Sequence, residues 1–464
     1  MAAISVFEVA VRASRRPVPA ADAIMIGVAA ALILWPALVN GYPLIFSDTG
    51  TYISQMMERH LGWDRPSFYS LLVLAAGLGR SLWPVIAGQG LLAAVLIRAT
   101  HRLLSPDAGT LDSALLLVIL AAGSSLSWTA AQVMPDIFTP LMVLAFAILV
   151  LAPQGAAGLI VPAMVIGLAI LVHLSNMPIY AGLCLCVLPL RALRQRVRWR
   201  LLLLPFLLGI AGLTAVNAIA RGRISPSPYG GTFLLARLIE NGPARTTLAH
   251  DCPKAGWALC AYRGDLPRTA DGFLWRADSP LYRAGGPRRL IDQTDAIVRR
   301  TIVEHPAAVL GAAMRDFGLQ LVIFSPGSGL RPWYATAWQT IRRDLPQTAY
   351  AAYLASRQAR GRMAVPPLLA AFVQALAVGG MGLTCGFALY AAAARRLRPE
   401  AASLGLFCWI VVLALAGNAA VTGALSGPHA RYQSRMVWLT VLAGWLVLRQ
   451  IQAGCRSRPT SNTT

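Results

Sequence analysis

Apolar runs of about 16 to 22 residues recur along the chain, separated by short polar stretches rich in arginine. Coiled as helices, runs of this length cross the roughly 30 Å of hydrocarbon in a bilayer, or nearly cross it with tilt and flanking anchors. The pattern predicts ten crossings, near 22–40, 84–103, 110–128, 137–152, 157–173, 175–190, 200–219, 366–390, 402–422 and 433–450. A further apolar stretch, Ser67 to Leu78, opens at Arg65-Pro66 and is too short to span. The expected fold class is all-α: a polytopic integral membrane protein with about ten transmembrane helices, a re-entrant or interfacial helix over 67–80, and one large loop domain.

Sidedness depends on that short helix. If it does not cross, the short loops carrying Arg98 and Arg102, then Arg191, Arg194, Arg196, Arg198 and Arg200, then Arg395, Arg396 and Arg398, share one side with Arg15 and Arg16. So does the tail with Arg449, Arg456 and Arg458, as the positive-inside rule requires. Both termini are then cytoplasmic in a multi-pass inner (plasma) membrane protein. The periplasmic side receives the first loop, 41–66, the turns at 125–136 and 173–178, the segment 220–364, and the turn at 427–435. This divides the chain into an N-terminal transmembrane module (1–219), a periplasmic helical loop domain (220–364) and a C-terminal transmembrane module with a cytoplasmic tail (365–464).

The loop domain holds nineteen arginines and one lysine against ten acidic residues. Its length exempts it from the positive-inside rule, and its charge suits an anionic partner. Ile291, Ala296, Ile297, Ile302 and Val303, then Val309, Leu310, Ala313, Phe317 and Leu321, recur at helical spacing around His305-Pro306. The simplest reading is an amphipathic helix on the membrane surface, with Arg299, Arg300 and Arg315 turned to headgroups.

Composition narrows the classes further. At 56% hydrophobic and 13% charged, with mean hydropathy +0.59, the chain has more apolar surface than one soluble core can hide. The net charge of +22 is arginine apart from Lys254. Those arginines punctuate apolar runs instead of forming a basic stripe on a soluble domain, so membrane lipids, not nucleic acid, are the expected partners. Of the seven cysteines, Cys184, Cys186, Cys385 and Cys408 fall in apolar spans as small core residues. An exported loop lets Cys252 and Cys260 close a small disulfide. The apolar run after Arg15 and Arg16 is too long for a cleavable signal. P-loop, GxGxxG, HExxH and GxSxG patterns are absent, and no cytoplasmic loop is large enough for a nucleotide-sugar site. A donor dissolved in the membrane remains.

Chemistry-bearing residues gather on the periplasmic side. Asp48, in Pro43-Leu-Ile-Phe-Ser-Asp48-Thr-Gly-Thr-Tyr52, either caps a following helix or reacts. Asp136 in Met134-Pro135-Asp136 opens a later span, where capping is again the simple alternative. His173 closes a span on the same face, as a structural hydrogen-bonding group or a catalytic one. Gly427-Pro-His429-Ala-Arg431-Tyr432-Gln-Ser-Arg435 opens the last span, where interfacial anchoring competes with a phosphate clamp.

Asp48 in the first loop, Arg65-Pro66-Ser-Phe-Tyr69, Pro135-Asp136 and His429-Ala-Arg431-Tyr432, in that order and sidedness, resemble the GT-C membrane glycosyltransferases of the protein mannosyltransferase and aminoarabinose transferase type. The resemblance implies an inverting transferase that moves a sugar from a polyprenyl phosphate carrier to a periplasmic lipid, glycan or protein acceptor. It gives Asp48 the role of catalytic base or acceptor-orienting carboxylate. Asp136, His173 and Tyr52 become candidates to orient the acceptor, and Arg431, Arg435, His429 and Arg65 candidates to bind phosphate. Many members carry two adjacent acids in the first loop, whereas Ser47 and Thr49 flank a lone Asp48. No cofactor is expected; a divalent metal would fit the chemistry, but no residue pattern calls for one. A transporter or flippase of a lipid-linked or anionic substrate, and a glycan polymerase or ligase working from the loop's arginines and histidines, are the alternatives.

Overall fold

The apolar runs coil into helices, and among the described residues the one extended pairing is an isolated parallel bridge between Leu44 and Gln132. The computed structural model describes residues 20–153, 158–192, 199–394 and 397–456. Arg15, Arg16, Arg194, Arg196, Arg198, Arg395, Arg396 and Arg458, part of the expected topology signal, lie outside the described residues.

The N-terminal half forms α1 (Ala20–Ile33), α2 (Trp35–Asn40), α3 (Thr49–Met57), α4 (Ser67–Gly77), α5 (Trp83–Leu104), α6 (Thr110–Gly123), α7 (Phe138–Leu151), α8 (Ile160–Val172), α9 (Asn176–Ala192) and α10 (Trp199–Arg221). The polar segment adds α11 (Gly230–Asn241), α12 (Pro243–Ala255), α13 (Ala270–Trp275), α14 (Pro287–Glu304), α15 (Pro306–Val322), α16 (Gln339–Asp344) and α17 (Gln347–Ala355). Three long helices follow, α18 (Pro367–Ala393), α19 (Pro399–Ser426) and α20 (Ala430–Arg456).

Five of these, α5, α10, α18, α19 and α20, are long and apolar enough to cross a membrane. The other expected crossings coil as shorter apolar helices. The run 22–40 breaks at Leu34, because Pro36 lacks the N–H that a continuous helix needs there. The run 110–128 stops at Gly123 and resumes as the single turn Leu126–Ala130. Helix α4, with 11 residues, extends about 16 Å, well short of a hydrocarbon core.

The apolar pattern is explained by what each helix faces. Every residue of α7 is buried, so a helix hydrophobic on all sides lies at the centre of the main core. Helices α10 and α18 are the reverse: Leu204, Leu207, Leu208, Leu368, Phe372 and Leu389 are exposed. Water does not tolerate apolar faces of that extent, and lipid does.

Helices α18 and α20 approach closely through glycine. A Cβ on Gly380 would lie 2.5 Å from the Thr440 carbonyl oxygen, and one on Gly444 would lie 3.0 Å from Gly380 Cα. Small residues of this kind let membrane helices pack backbone to backbone. Gly380→Leu is therefore expected to destabilise the bundle by about 1–3 kcal/mol through overpacking. Gly379→Leu, whose Cβ meets nothing within 4 Å, is the matched control in a thermal-unfolding measurement.

The segment 220–364 is divided between two cores. Helices α11, α12, α13 and α14 bury Leu235, Leu248, Phe273, Leu290 and Ile297 in a second, smaller core. Residues 330–363 return to the main core through Leu330, Ile341, Tyr353 and Met363. The surface-lying amphipathic helix is corrected for α14, whose apolar face packs on α11; α15 packs along α19 through Ala312, Asp316 and Gln320 and leaves Leu310, Met314, Leu319 and Val322 exposed. Arg300 pairs with Asp251 and Glu304, and Arg315 with Asp316, so these two arginines face carboxylates of their own domain. Cys252 and Cys260 are joined by a disulfide, their Cα atoms 5.2 Å apart.

A polar network, buried at Asp22, Arg98, His101 and Ser113, ties the ends of the bundle away from Asp48. Arg98 donates to Asp22 at 3.0 Å and to Ser113 Oγ at 2.8 Å, Arg102 also pairs with Asp22, and Asp112 binds His101 at 2.9 Å and Arg449 at 3.0 Å. Arg449 and Arg435 lie on the same helix, about 21 Å apart along its axis. One rod thus carries charged contacts at both ends.

Candidate active site

The loop that bears Asp48 is held from both sides. Leu44 N donates to Ala131 O, and Leu44 O accepts from Val133 N, which fastens the loop to the chain entering α7. Gln358, fully buried, clamps the next residue: its Oε1 accepts from Ile45 N at 2.9 Å and its Nε2 donates to Ile45 O at 2.6 Å. Thr49 Oγ1 accepts from Phe46 N and donates to Val133 O, both at 3.0 Å.

Asp48 so held occupies the N-cap of α3 but makes no side-chain capping bond. Its Oδ2 instead accepts from Arg65 Nη2 at 2.8 Å. Arg431 Nη1 lies 3.9 Å from the same oxygen. Asp136 does not cap its 3-10 turn, Pro135–Ile137, either. Its Oδ1 accepts from Arg435 Nη1 at 3.2 Å and lies 3.9 Å from Arg431 Nε. The sequence Arg65, Asp48, Arg431, Asp136, Arg435 is one connected cluster of three cations and two anions, a net charge of +1.

Two aromatic surfaces hold the arginines. The Arg431 guanidinium lies over Phe46, 4.0 Å from the ring centroid. Phe46 reaches that position because Gly329, at φ +85°, has no Cβ to collide with it, and Trp333 backs it at 4.9 Å. Arg65 lies over Trp275 at 5.5 Å, and Trp275 stacks on Trp63 at 5.7 Å, which brings the second core up to the first loop. Burial works against the Arg65 charge, but Asp48 and Asp64 outweigh it and hold the guanidinium above its ordinary range. Burial also pushes the Asp64 carboxyl up, with Arg65 pulling the other way.

The remaining candidates divide. Arg435 is 1% exposed, and all five of its N–H donors are used. Nε and Nη2 donate to Asn418 Oδ1, Nη2 also to Ser175 Oγ, and Nη1 to Asp136 and to His173 Nε2. This corrects its expected role, since no N–H is left for a phosphate; Arg435 positions Asp136 and His173. The contact holds the imidazole too: Nε2 accepts from Arg435, and Nδ1 faces Ser175, whose Oγ lies 2.9 Å and whose backbone N lies 3.3 Å away. Tyr52 is buried with its ring 4.8 Å from Tyr69, behind the cluster. His429 is exposed, its ring against Tyr432 at 5.5 Å and its backbone held by Gln320. The expected phosphate contact from His429 is therefore not formed with this cluster.

Two clefts open on the charged chain. One is lined by Trp63, Asp64, Arg65, Phe68, Arg221 and Tyr229. The other is lined by Trp128, Gln132, Asp136, Ser328 and Arg431 among others. Arg65 borders the first and Arg431 the second, and Asp48 touches both arginines.

Sequence reading missed Asp64, Gln132, Ser175, Gln358 and Asn418. Asn418 left a signal, an amide inside the apolar run Leu413-Ala-Leu-Ala-Gly-Asn418-Ala-Ala, where a polar side chain is costly unless it has a partner. The others lie in polar loops and carried none. Among the described residues, the group spaced to ligate a metal is His250, Asp251 and Glu304, and both acids already pair with Arg300. Compared with known protein families, curated proteins and solved structures, the chain has no match.

Proposed function

We propose that the protein is a multi-pass inner-membrane glycosyltransferase of GT-C type, with about ten crossings and both termini cytoplasmic. It moves a sugar from a polyprenyl phosphate to a periplasmic lipid, glycan or protein. The observation that carries this reading is the single cluster in which Asp48 lies between Arg65 and Arg431. Asp48 takes the proton of the incoming hydroxyl or amine as that atom bonds to the anomeric carbon. The bond from that carbon to the phosphate oxygen breaks, and the departing phosphate is stabilised by Arg65 and Arg431. Phosphate leaves readily, so one carboxylate and arginines suffice where glycoside hydrolysis needs two carboxylates. Attack from the face opposite the phosphate inverts the anomeric centre. Asp48 is the carboxylate suited to meet an acceptor, because its side chain is 15% exposed and that of Asp136 only 1%.

The assay is transfer in nanodiscs from a synthetic polyprenyl phosphate sugar to a panel of lipid, glycan and peptide acceptors, with the product read by mass spectrometry. A covalent product of inverted configuration is the expected result. Movement of labelled polyprenyl phosphate across proteoliposomes without any covalent product would replace this reading with that of a transporter.

The disulfide supports an exported loop domain, since such bonds persist in oxidising compartments. A membrane-impermeant maleimide is therefore expected to label Cys252 and Cys260 from outside the cell, and only after reduction. Cys455, exposed near the end of α20, is expected to label only after permeabilisation. Labelling of Cys455 in intact cells would overturn the assigned sidedness.

A further inference from the structure

Gln358, which clamps the Asp48 loop at Ile45, also organises a group of arginines outside the charged cluster. Its Nε2 donates to Arg331 O at 3.3 Å, and its backbone N donates to Asn40 Oδ1 at 2.7 Å. The turn around it, 356–363, is closed by Arg362 N donating to Arg357 O at 2.7 Å. Arg357 N, donating to Asn40 O at 3.0 Å, ties the turn to the end of α2. Ser356, Gln358, Ala359 and Met363 are buried, whereas Arg357, Arg360 and Arg362 are exposed, as is Arg331. A fixed backbone thus presents four guanidinium groups at the surface. Arg331 lies over the Trp333 ring at 4.0 Å, and Arg360 Nε donates to Leu354 O at 3.3 Å. Among the described residues none of the four pairs with a carboxylate, while Arg343 of α16 pairs with both Glu58 and Asp344.

We infer that this turn is a docking surface for the phosphate of anionic phospholipids, in the leaflet on the Asp48 side of the bundle. The surface on either side of the turn places it at headgroup depth. Val28, Leu32, Leu38 and Val39 are exposed along α1 and α2 up to Asn40, and Leu368 and Phe372 are exposed where α18 begins. The arginines lie between these apolar stretches, Arg357 bonded to Asn40 and Arg362 shortly before Pro367. Lipid tails cover the apolar stretches, so the layer that meets the arginines is that of the headgroups. Charge then selects among headgroups, since four cations with no paired acid favour a lipid of net negative charge. Guanidinium geometry suits the phosphate itself, to which it can donate two parallel N–H bonds. Because the backbone of the turn is already fixed, little ordering is lost when a lipid docks. The inference rests on the bundle lying in a membrane and not on the transferase reading.

Native mass spectrometry of the full chain in detergent, titrated separately with dioleoyl phosphatidylglycerol and dioleoyl phosphatidylcholine, resolves each lipid-bound state. The wild type is expected to bind its first phosphatidylglycerol about tenfold or more tighter than its first phosphatidylcholine. The variant Arg357→Gln/Arg360→Gln/Arg362→Gln is expected to lose most of that preference. Arg263→Gln/Arg268→Gln/Arg289→Gln removes the same charge from exposed positions of the loop domain and is expected to keep it. If the first triple variant fails to fold, its three single substitutions make the same comparison, each with a smaller loss in the same direction. Equal affinity of the wild type for the two lipids, an undiminished preference in the variants of the turn, or an equal loss in the control would overturn the inference. Glycerol phosphate competing as well as phosphatidylglycerol would overturn it too, because a site for the soluble headgroup alone needs no membrane.

Discussion

Asp48→Asn is expected to lower the transfer rate by about 10²–10⁴-fold, the usual effect of removing a positioned base, while the protein folds and binds dodecyl phosphate as before. The separation follows from the geometry. An asparagine oxygen can still accept from Arg65, 2.8 Å from the carboxylate it replaces, and Thr49 and Gln358 hold the loop through contacts that do not involve Asp48. Proton acceptance is lost, and the loop's anchors are kept. Arg65 and Arg431 also lose an anion, which leaves the site more positive and does not weaken its hold on phosphate. A folded Asp48→Asn protein with undiminished transfer would remove Asp48 from the chemistry. A fall in phosphate binding equal to the fall in rate would make its role one of arranging Arg65 and Arg431.

The sequence was informative where a single local rule decides, and silent where partners meet from distant segments. The long apolar runs at 84–103, 200–219, 366–390 and 402–422 are recovered as α5, α10, α18 and α19, with ends within a few residues of those expected. The run 22–40 reads as one span because composition outweighs a single proline, yet Pro36 breaks it. The helical period at 291–321 predicts amphipathic helices, but periodicity does not say whether the apolar face meets lipid or protein; the second core takes Leu290, Ile297 and Val298 of α14, while Leu310, Leu319 and Val322 of α15 stay exposed. Asp48, Asp136, Arg65 and Arg431 stood out as charges beside apolar runs. Their convergence depends on contacts 17 to 383 positions apart, Asp48 with Arg65 and with Arg431, and no local pattern encodes that. Gln358 is invisible for the same reason: its partner, Ile45, lies 313 residues away.

The pairing of Arg435 with Asp136 separates what holds the site from what reacts in it. Arg435→Met removes the donor nearest Asp136 and leaves a carboxylate 1% exposed with only Arg431, 3.9 Å away. His173, Asn418 and Ser175 lose their shared donor at the same time. Breaking a buried pair from one side costs about 3–5 kcal/mol, because the remaining charge stays desolvated. A matching loss is expected from Asp136→Leu, which leaves Arg435 without an anion. The double variant Asp136→Leu/Arg435→Met carries neither buried charge, and its loss is expected to fall well below the sum of the two, a coupling of about 1–3 kcal/mol in a double-mutant cycle. Thermal unfolding of the purified protein in one detergent reads all four forms. Strict additivity would mean that Asp136 and Arg435 do not depend on each other. Coupling at the expected size would make this pair the fixed floor of the site, with Asp48, Arg65 and Arg431 the groups left free to act above it.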